Sequence, residues 1–194
     1  MRCGKITASR IKDMMAQTKS GPSASRKNLA ASLMLERITG VVADTYTNGA
    51  MEWGTETEPL ARLAYSFQTN NDVEEVGFIN HPTIARSGAS PDGLVSLYGM
   101  CEIKCPNTAT HIAWALAGVV PPEHVLQMQW QMACTGREWN DFVSFDPRMP
   151  DGQQLFIRTL YRDNELVEKL EKQVVEFDAE VEKLVADLKS VTWF

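Results

Sequence analysis

The chain has 194 residues, 44% hydrophobic and 23% charged, which fits one globular domain, residues 1–194, and excludes a disordered chain. No run is apolar enough to span a bilayer and no signal core follows Met1-Arg2-Cys3-Gly4-Lys5, so we expect a cytoplasmic protein without membrane contact. Cys3, Cys101, Cys105 and Cys134 lack a C-x-x-C pair, which argues against a zinc ribbon or a disulfide framework.

The net charge of −6 argues by itself against strong nucleic-acid binding, but its distribution is uneven. Residues 1–30 hold seven bases against Asp13 alone, whereas residues 151–194 hold ten acids against six bases. Such polarity predicts that phosphates are met on one side only.

In chain order, residues 7–17 read as a helix with Ile11, Met14 and Met15 inward. The breaker-rich, basic stretch 18–27 reads as a mobile loop carrying Lys19, Arg26 and Lys27, suited to a nucleic-acid backbone. Helices are predicted at 28–39, ended by Gly40, and at 49–68, with Glu56, Glu58 and Arg62 on the polar side. Strands follow at 73–80, 94–97 and 100–104, then helices at 110–116 and 122–135, then strands at 139–145 and 155–160. This order predicts an α/β fold with a central mixed β-sheet flanked by helices. The last helix, about 164–191, sets Val167, Leu170, Val174, Phe177, Val181, Leu184, Leu188 and Val191 at three- and four-residue steps. That seam suits either a coiled coil or a long helix laid across the domain, and the second is favoured because only some three and a half heptads are present.

The chemistry concentrates in residues 90–106. In a strand, side chains alternate, so Glu102 and Lys104 project together while Cys101, Ile103 and Cys105 face the core. A hairpin of 94–97 on 100–104 brings Asp92 beside Glu102, giving two hard oxygen ligands of the kind Mg²⁺ prefers. Lys104 then stands where an ammonium orients water and stabilises charge on a phosphate. Acids and bases alternate on many solvated strands, so the pattern alone is weak. It gains from the Ser90-Pro91-Asp92-Gly93 turn and from the apolar fence around Glu102, whose burial calls for a metal or a partner. Glu58, or alternatively Glu56, offers a further ligand, against the plainer reading of an i,i+4 pair between Glu58 and Arg62. Gln127 and Gln129 share no helix face, so at most one points to the site. The dispersed His81, His111 and His124 support neither a triad nor a zinc site.

The blocks Gly4-Lys5-Ile6-Thr7-Ala8-Ser9, Trp53-Gly54-Thr55-Glu56-Thr57-Glu58, Ser90-Pro91-Asp92-Gly93-Leu94, Glu102-Ile103-Lys104-Cys105-Pro106, Gln127-Met128-Gln129 and Phe145-Asp146-Pro147-Arg148-Met149 occur in this order. Together they make the chain resemble the phage lambda exonuclease family of viral recombination nucleases, within the restriction-endonuclease-like PD-(D/E)xK superfamily. The resemblance implies an exonuclease that degrades one strand of linear double-stranded DNA from its 5′ end. It leaves 3′ overhangs for a single-strand annealing protein in phage-type recombination, in a bacterial or phage-infected cell. It further implies Mg²⁺, two ions with Mn²⁺ as a substitute, held by Asp92, Glu102, the Ile103 carbonyl and Glu58, with Lys104 acting on the water. Arg2, Ser9, Ser90 and Gln127 would bind the 5′ phosphate. Lys19 would grip the strand and Met51 would act as an apolar wedge, and the basic N-terminal stretch itself adds Arg10, Arg26 and Lys27 as candidate DNA contacts. Family members form toroidal trimers, so a homotrimer is implied. Two other readings stay open: a structure-selective endonuclease with the same metal site, and a DNA-end-binding module without catalysis.

Overall fold

A computed structural model describes residues 2–19, 21–42 and 49–193. Ser20, inside the predicted loop 18–27, lies outside the described residues. The order is β1 (Ile6–Thr7), a 3₁₀ turn (Ala8–Arg10), α1 (Ile11–Met15), β2 (Gln17–Thr18), β3 (Gly21–Pro22), α2 (Ala24–Thr39), α3 (Gly49–Thr69), β4 (Val73–Glu74), β5 (Ile79–Asn80), β6 (Ser87–Ala89), β7 (Gly93–Val95), β8 (Gly99–Lys104), α4 (Thr108–Ala117), α5 (Pro122–Thr135), β9 (Trp139–Phe145), β10 (Leu155–Tyr161) and α6 (Asn164–Ser190). Among the described residues no helix is long and apolar enough to cross a membrane.

The main sheet runs β10-β9-β8-β7-β4, with β8 and β9 parallel and the other neighbours antiparallel, so it is mixed as expected. A small second sheet, β1-β6-β5, ties the N-terminal segment to the chain just before Asp92. The predicted single strand 73–80 is therefore two short strands in two sheets, and β6 was not foreseen. Its sequence, Ser87-Gly88-Ala89, carries no β-branched residue to announce a strand. The predicted loop 18–27 is a tight β2–β3 pair followed directly by α2, whose N-cap Ser23 accepts a hydrogen bond from the Arg26 amide.

The two faces of β8 meet different helices. Cys101 and Ile103 pack with Ala61 and Tyr65 of α3 and with Val95, Val143 and Phe145. Glu102 faces α5 instead, through Gln127 and Gln131. Residues 128–134 of α5 are all buried, because this helix lies between the sheet and a second core built from β1, α1, α2 and α6. Trp130 is its anchor, stacked on His81 with its indole N–H donating to Ser87 Oγ at 3.1 Å.

Helix α6 resolves the seam. Its buried residues are Val167, Leu170, Val174, Phe177, Val181 and Val185, whereas Leu184, predicted inward, is 39% exposed. The last step lengthens to four, so the repeat averages 3.6 residues, the period of a straight helix on a domain surface, not the 3.5 of a supercoil. Val191, also predicted inward, is exposed beyond the helix end.

The basic N-terminal region is largely committed to internal pairs. Arg10 binds Glu36, which is 1% exposed, at 2.6 Å, and the same carboxylate accepts the Gly4 amide at 2.7 Å. Arg26 donates to the Met14 carbonyl at 2.7 Å, pairs with Glu180 at 2.5 Å and lies over the Phe177 ring. Arg37 reaches Asp178 and Glu182 of α6 at 2.6 and 2.9 Å. Arg10 and Arg26 thus hold α2 to its neighbours, a role that charge counting does not foresee. Lys19 and Lys27 are exposed. Removing one partner of a buried pair strands the other charge, so Arg10→Ala is expected to lower stability by roughly 3 kcal/mol in chemical denaturation. Lys27→Ala is expected to change it by less than about 0.5 kcal/mol.

Candidate active site

The site is assembled where β7 and β8 leave the sheet toward α5. Gly93 pairs with Cys101, and a Cβ at Gly93 would collide with the Val73 side chain of the edge strand β4. The lack of a side chain there lets the hairpin close against β4, and Asp92 emerges one residue before it. Asp92 Oδ2 accepts the Ile103 amide at 2.7 Å, fixing the carboxylate against the strand that bears Glu102 and Lys104.

Glu102 is 1% exposed. Its Oε1 accepts from Lys104 Nζ and from Gln127 Nε2, the latter at 2.5 Å, and its Oε2 accepts from Gln131 Nε2. Burial, and next the negative charge of Glu102, pushes the Asp92 carboxyl up to about 8. Burial acts to lower Lys104, but Glu102 and Asp92 outweigh it and hold the ammonium above its ordinary value. When both carboxyls are ionised, the single ammonium balances only one of their two charges.

A pocket of about 180 Å³ opens on this cluster, lined by Arg2, Thr7, Ala8, Ser9, Ser90, Asp92, Glu102, Lys104 and Gln127. All four residues assigned to phosphate binding, Arg2, Ser9, Ser90 and Gln127, are therefore brought together beside the carboxylates. Arg2 Nε donates to Ser90 Oγ at 3.1 Å, and Ser9 Oγ is 3.2 Å from the Thr7 hydroxyl. Thr7, a further polar group in the wall, was not singled out from the sequence.

On the other side of Lys104 lies a cleft of about 400 Å³ lined in part by Met51, Gly54, Glu58, Ile103, Cys105 and Trp114. Met51 is 49% exposed there. Glu58 shares this cleft but belongs to α3, on the face of β8 opposite Glu102. It accepts from Arg62 at 2.6 Å, and Arg62 also pairs with Glu75 at 2.7 Å. The i,i+4 pair foreseen as the plain alternative is thus present. Among the described residues no three Asp, Glu, His or Cys side chains gather closely enough to hold an ion by themselves. Glu56, the other candidate, is exposed.

Gln129 turns away from the site, donating to the Tyr161 carbonyl and accepting the Asp163 amide. Gln131 was missed by the sequence reading. Its signal is its spacing: four residues after Gln127, it lies on the same helix face.

Residues 1–138 match the YqaJ-like viral recombinase domain. Among solved structures, the alkaline exonuclease LHK-Exo from Laribacter hongkongensis is 51% identical, with a TM-score of 0.90 over 97% of this chain and 93% of that chain. A structure of LHK-Exo in complex with dAMP matches equally well. A phage related exonuclease from Haemophilus somnus 129PT, 16% identical with a TM-score of 0.75 over 95% of this chain and 96% of that one, shares the fold. No curated protein sequence matches the chain significantly. The resemblance to the lambda exonuclease type is borne out, and the chain belongs to the YqaJ-like viral recombinase family.

Proposed function

We propose that this protein is a Mg²⁺-dependent exonuclease that degrades linear double-stranded DNA in the 5′→3′ direction. The reading rests chiefly on one observation: Asp92, Glu102 and Lys104 line the same small pocket as Arg2, Ser9, Ser90 and Gln127. A phosphate-sized recess that ends on two carboxylates and an ammonium suits a terminal 5′ phosphate better than the interior of a closed duplex. The relative LHK-Exo, an alkaline exonuclease solved with dAMP, supports the nuclease activity and a nucleotide monophosphate as ligand.

The donor set fits a hard divalent cation: the Asp92 and Glu102 carboxylates with the Ile103 carbonyl, in a site where burial, and next the charge of Glu102, already raises Asp92. When bound, such an ion supplies Lewis-acid stabilisation of charge on the phosphate. For Glu58 to join as a ligand and support a second ion, its carboxylate must exchange Arg62, so Mg²⁺ or Mn²⁺ at that place is the weaker of the two. Lys104 holds and orients the attacking water, and Arg2 with Ser9, Ser90 and Gln127 fixes the terminal phosphate. Lys19 and Lys27 supply exposed charge to the strand, and Met51 stands at the cleft where the end base pairs part. A single-strand annealing protein would take up the 3′ overhang. The exposed Leu60, Leu63 and Phe67 of α3 offer an apolar face for a homotrimer, and a cytoplasmic location follows from the DNA substrate.

The direct test is a time course on linear duplex labelled at one 5′ end, with and without Mg²⁺. The label should be released as mononucleotide only with Mg²⁺, fastest from 5′-phosphorylated ends, and closed circles should stay intact. Cutting of circles would establish the endonuclease reading, and retention of DNA without product would establish the binding module. Lys104→Ala should lower the rate at least about 100-fold with little change in DNA binding.

The raised Asp92 carboxyl has a thermodynamic consequence of definite sign. Its ordinary carboxyl titrates near about 4 in the unfolded chain, so between there and about 8 the folded metal-free protein holds the extra proton. Its contribution to stability therefore declines as pH rises through that interval. Melting temperatures of metal-free wild-type protein and Asp92→Asn, measured from pH 5 to 9, should diverge, with the variant the more stable at alkaline pH although inactive.

A further inference from the structure

The two oxygens of Glu102 are held differently. Oε1 meets Lys104 and Gln127, which line the pocket and are reachable from solvent. Oε2 meets Gln131, which is fully buried. The other end of the Gln131 amide accepts from Asn140 Nδ2 at 2.8 Å, and Asn140 is fully buried on β9, opposite Met100 of β8.

The row runs in one direction. Gln131 turns its NH₂ group to Glu102 and its carbonyl to Asn140, which donates to it. The remaining Asn140 Oδ1 is buried and has no hydrogen-bond partner among the described residues.

We infer that Gln131, braced by Asn140, is a positioning residue that pins Oε2 of Glu102 to the core and leaves Oε1 as the oxygen offered to a divalent cation. Glu102 would thereby ligate through one oxygen in a fixed direction, without swinging into a two-oxygen grip. A neutral amide suits the task because it donates at one end and accepts at the other. A glutamate in its place would add a third negative charge to the site. This inference rests on the metal-dependent reading proposed above.

The test is a calorimetric titration of Mn²⁺ into the wild-type protein and the Gln131→Met, Asn140→Ala and double variants, well below their melting temperatures. Methionine keeps the volume of glutamine but cannot donate. Partners of metal ligands commonly contribute 10- to 100-fold to metal affinity, so Gln131→Met should weaken Mn²⁺ binding by about tenfold or more. Asn140→Ala should weaken it less, and the double variant should match Gln131→Met, since Asn140 acts only through Gln131. A purely structural role would lower the melting temperature and leave Mn²⁺ affinity unchanged. Unchanged affinity in Gln131→Met, or additive losses in the double variant, overturns the inference while the metal reading stands. If Gln131→Met does not fold, Asn140→Ala decides alone: wild-type affinity there is equally fatal. If wild-type protein itself binds no Mn²⁺, the metal reading fails first and this inference falls with it.

Discussion

The buried carboxyl group of Glu102 is the constraint around which this protein is organised. Removing a carboxylate from water costs several kcal/mol even after the protein relaxes. Hydrogen bonds to a charged group return about 1.5–3 kcal/mol each, so one donor does not offset that cost and three do. Lys104, Gln127 and Gln131 are those three. One comes from the same strand and two from one face of α5, so the carboxylate is stable only when α5 lies across β8 in a single register. The packing of α5 follows: Trp130 and its neighbours must fill the space on the side turned away from Glu102, and the helical core around α1, α2 and α6 supplies it.

The same strand divides the site into two compartments. Because side chains alternate, the face that carries Glu102 cannot also receive α3, which covers Cys101 and Ile103. Glu58, on α3, therefore approaches through the cleft that Lys104 and Ile103 line, and its charge acts on both Asp92 and Lys104. Lys104 is the one catalytic candidate common to both compartments. An ammonium at the boundary feels the carboxylates on one side and Glu58 on the other, which is why its charge persists despite burial.

What the sequence made legible follows the range of the interactions involved. The alternation in residues 100–104 is local, and the polar and core faces of β8 fall where it puts them. The strand 139–145 and the helix 122–135 were equally clear, because their periodicity and end signals lie within the segment. Residues 73–80 were not, since which of two sheets a short strand joins depends on partners far along the chain. Gln131 was lost for a related reason. A glutamine carries no sign of its partner, and only its four-residue spacing from Gln127 separates it in the sequence from Gln129, which serves two main-chain groups elsewhere. In α6, counting apolar residues by heptads placed Leu184 inward, whereas a straight helix brings Val185 around.

Charge is where local counting misled most, and the reason bears on how DNA would be held. The basic start and the acidic end of the chain read as two opposed surfaces, yet α2 packs on α6 and Arg26 and Arg37 meet Glu180, Asp178 and Glu182 there. Much of the apparent polarity is internal complementarity, with Arg86 adding a further link from the small sheet to Glu182 at 2.8 Å. A protein of net charge −6 whose arginines are spent in this way gains little from long-range attraction to a polyanion. On the reading proposed above, selectivity for DNA ends would come from short-range geometry at the pocket, where Arg2 stands beside Ser90 and a terminal phosphate would meet hydroxyls and an amide. Such a site rewards an end that fits and gives little to duplex that merely passes.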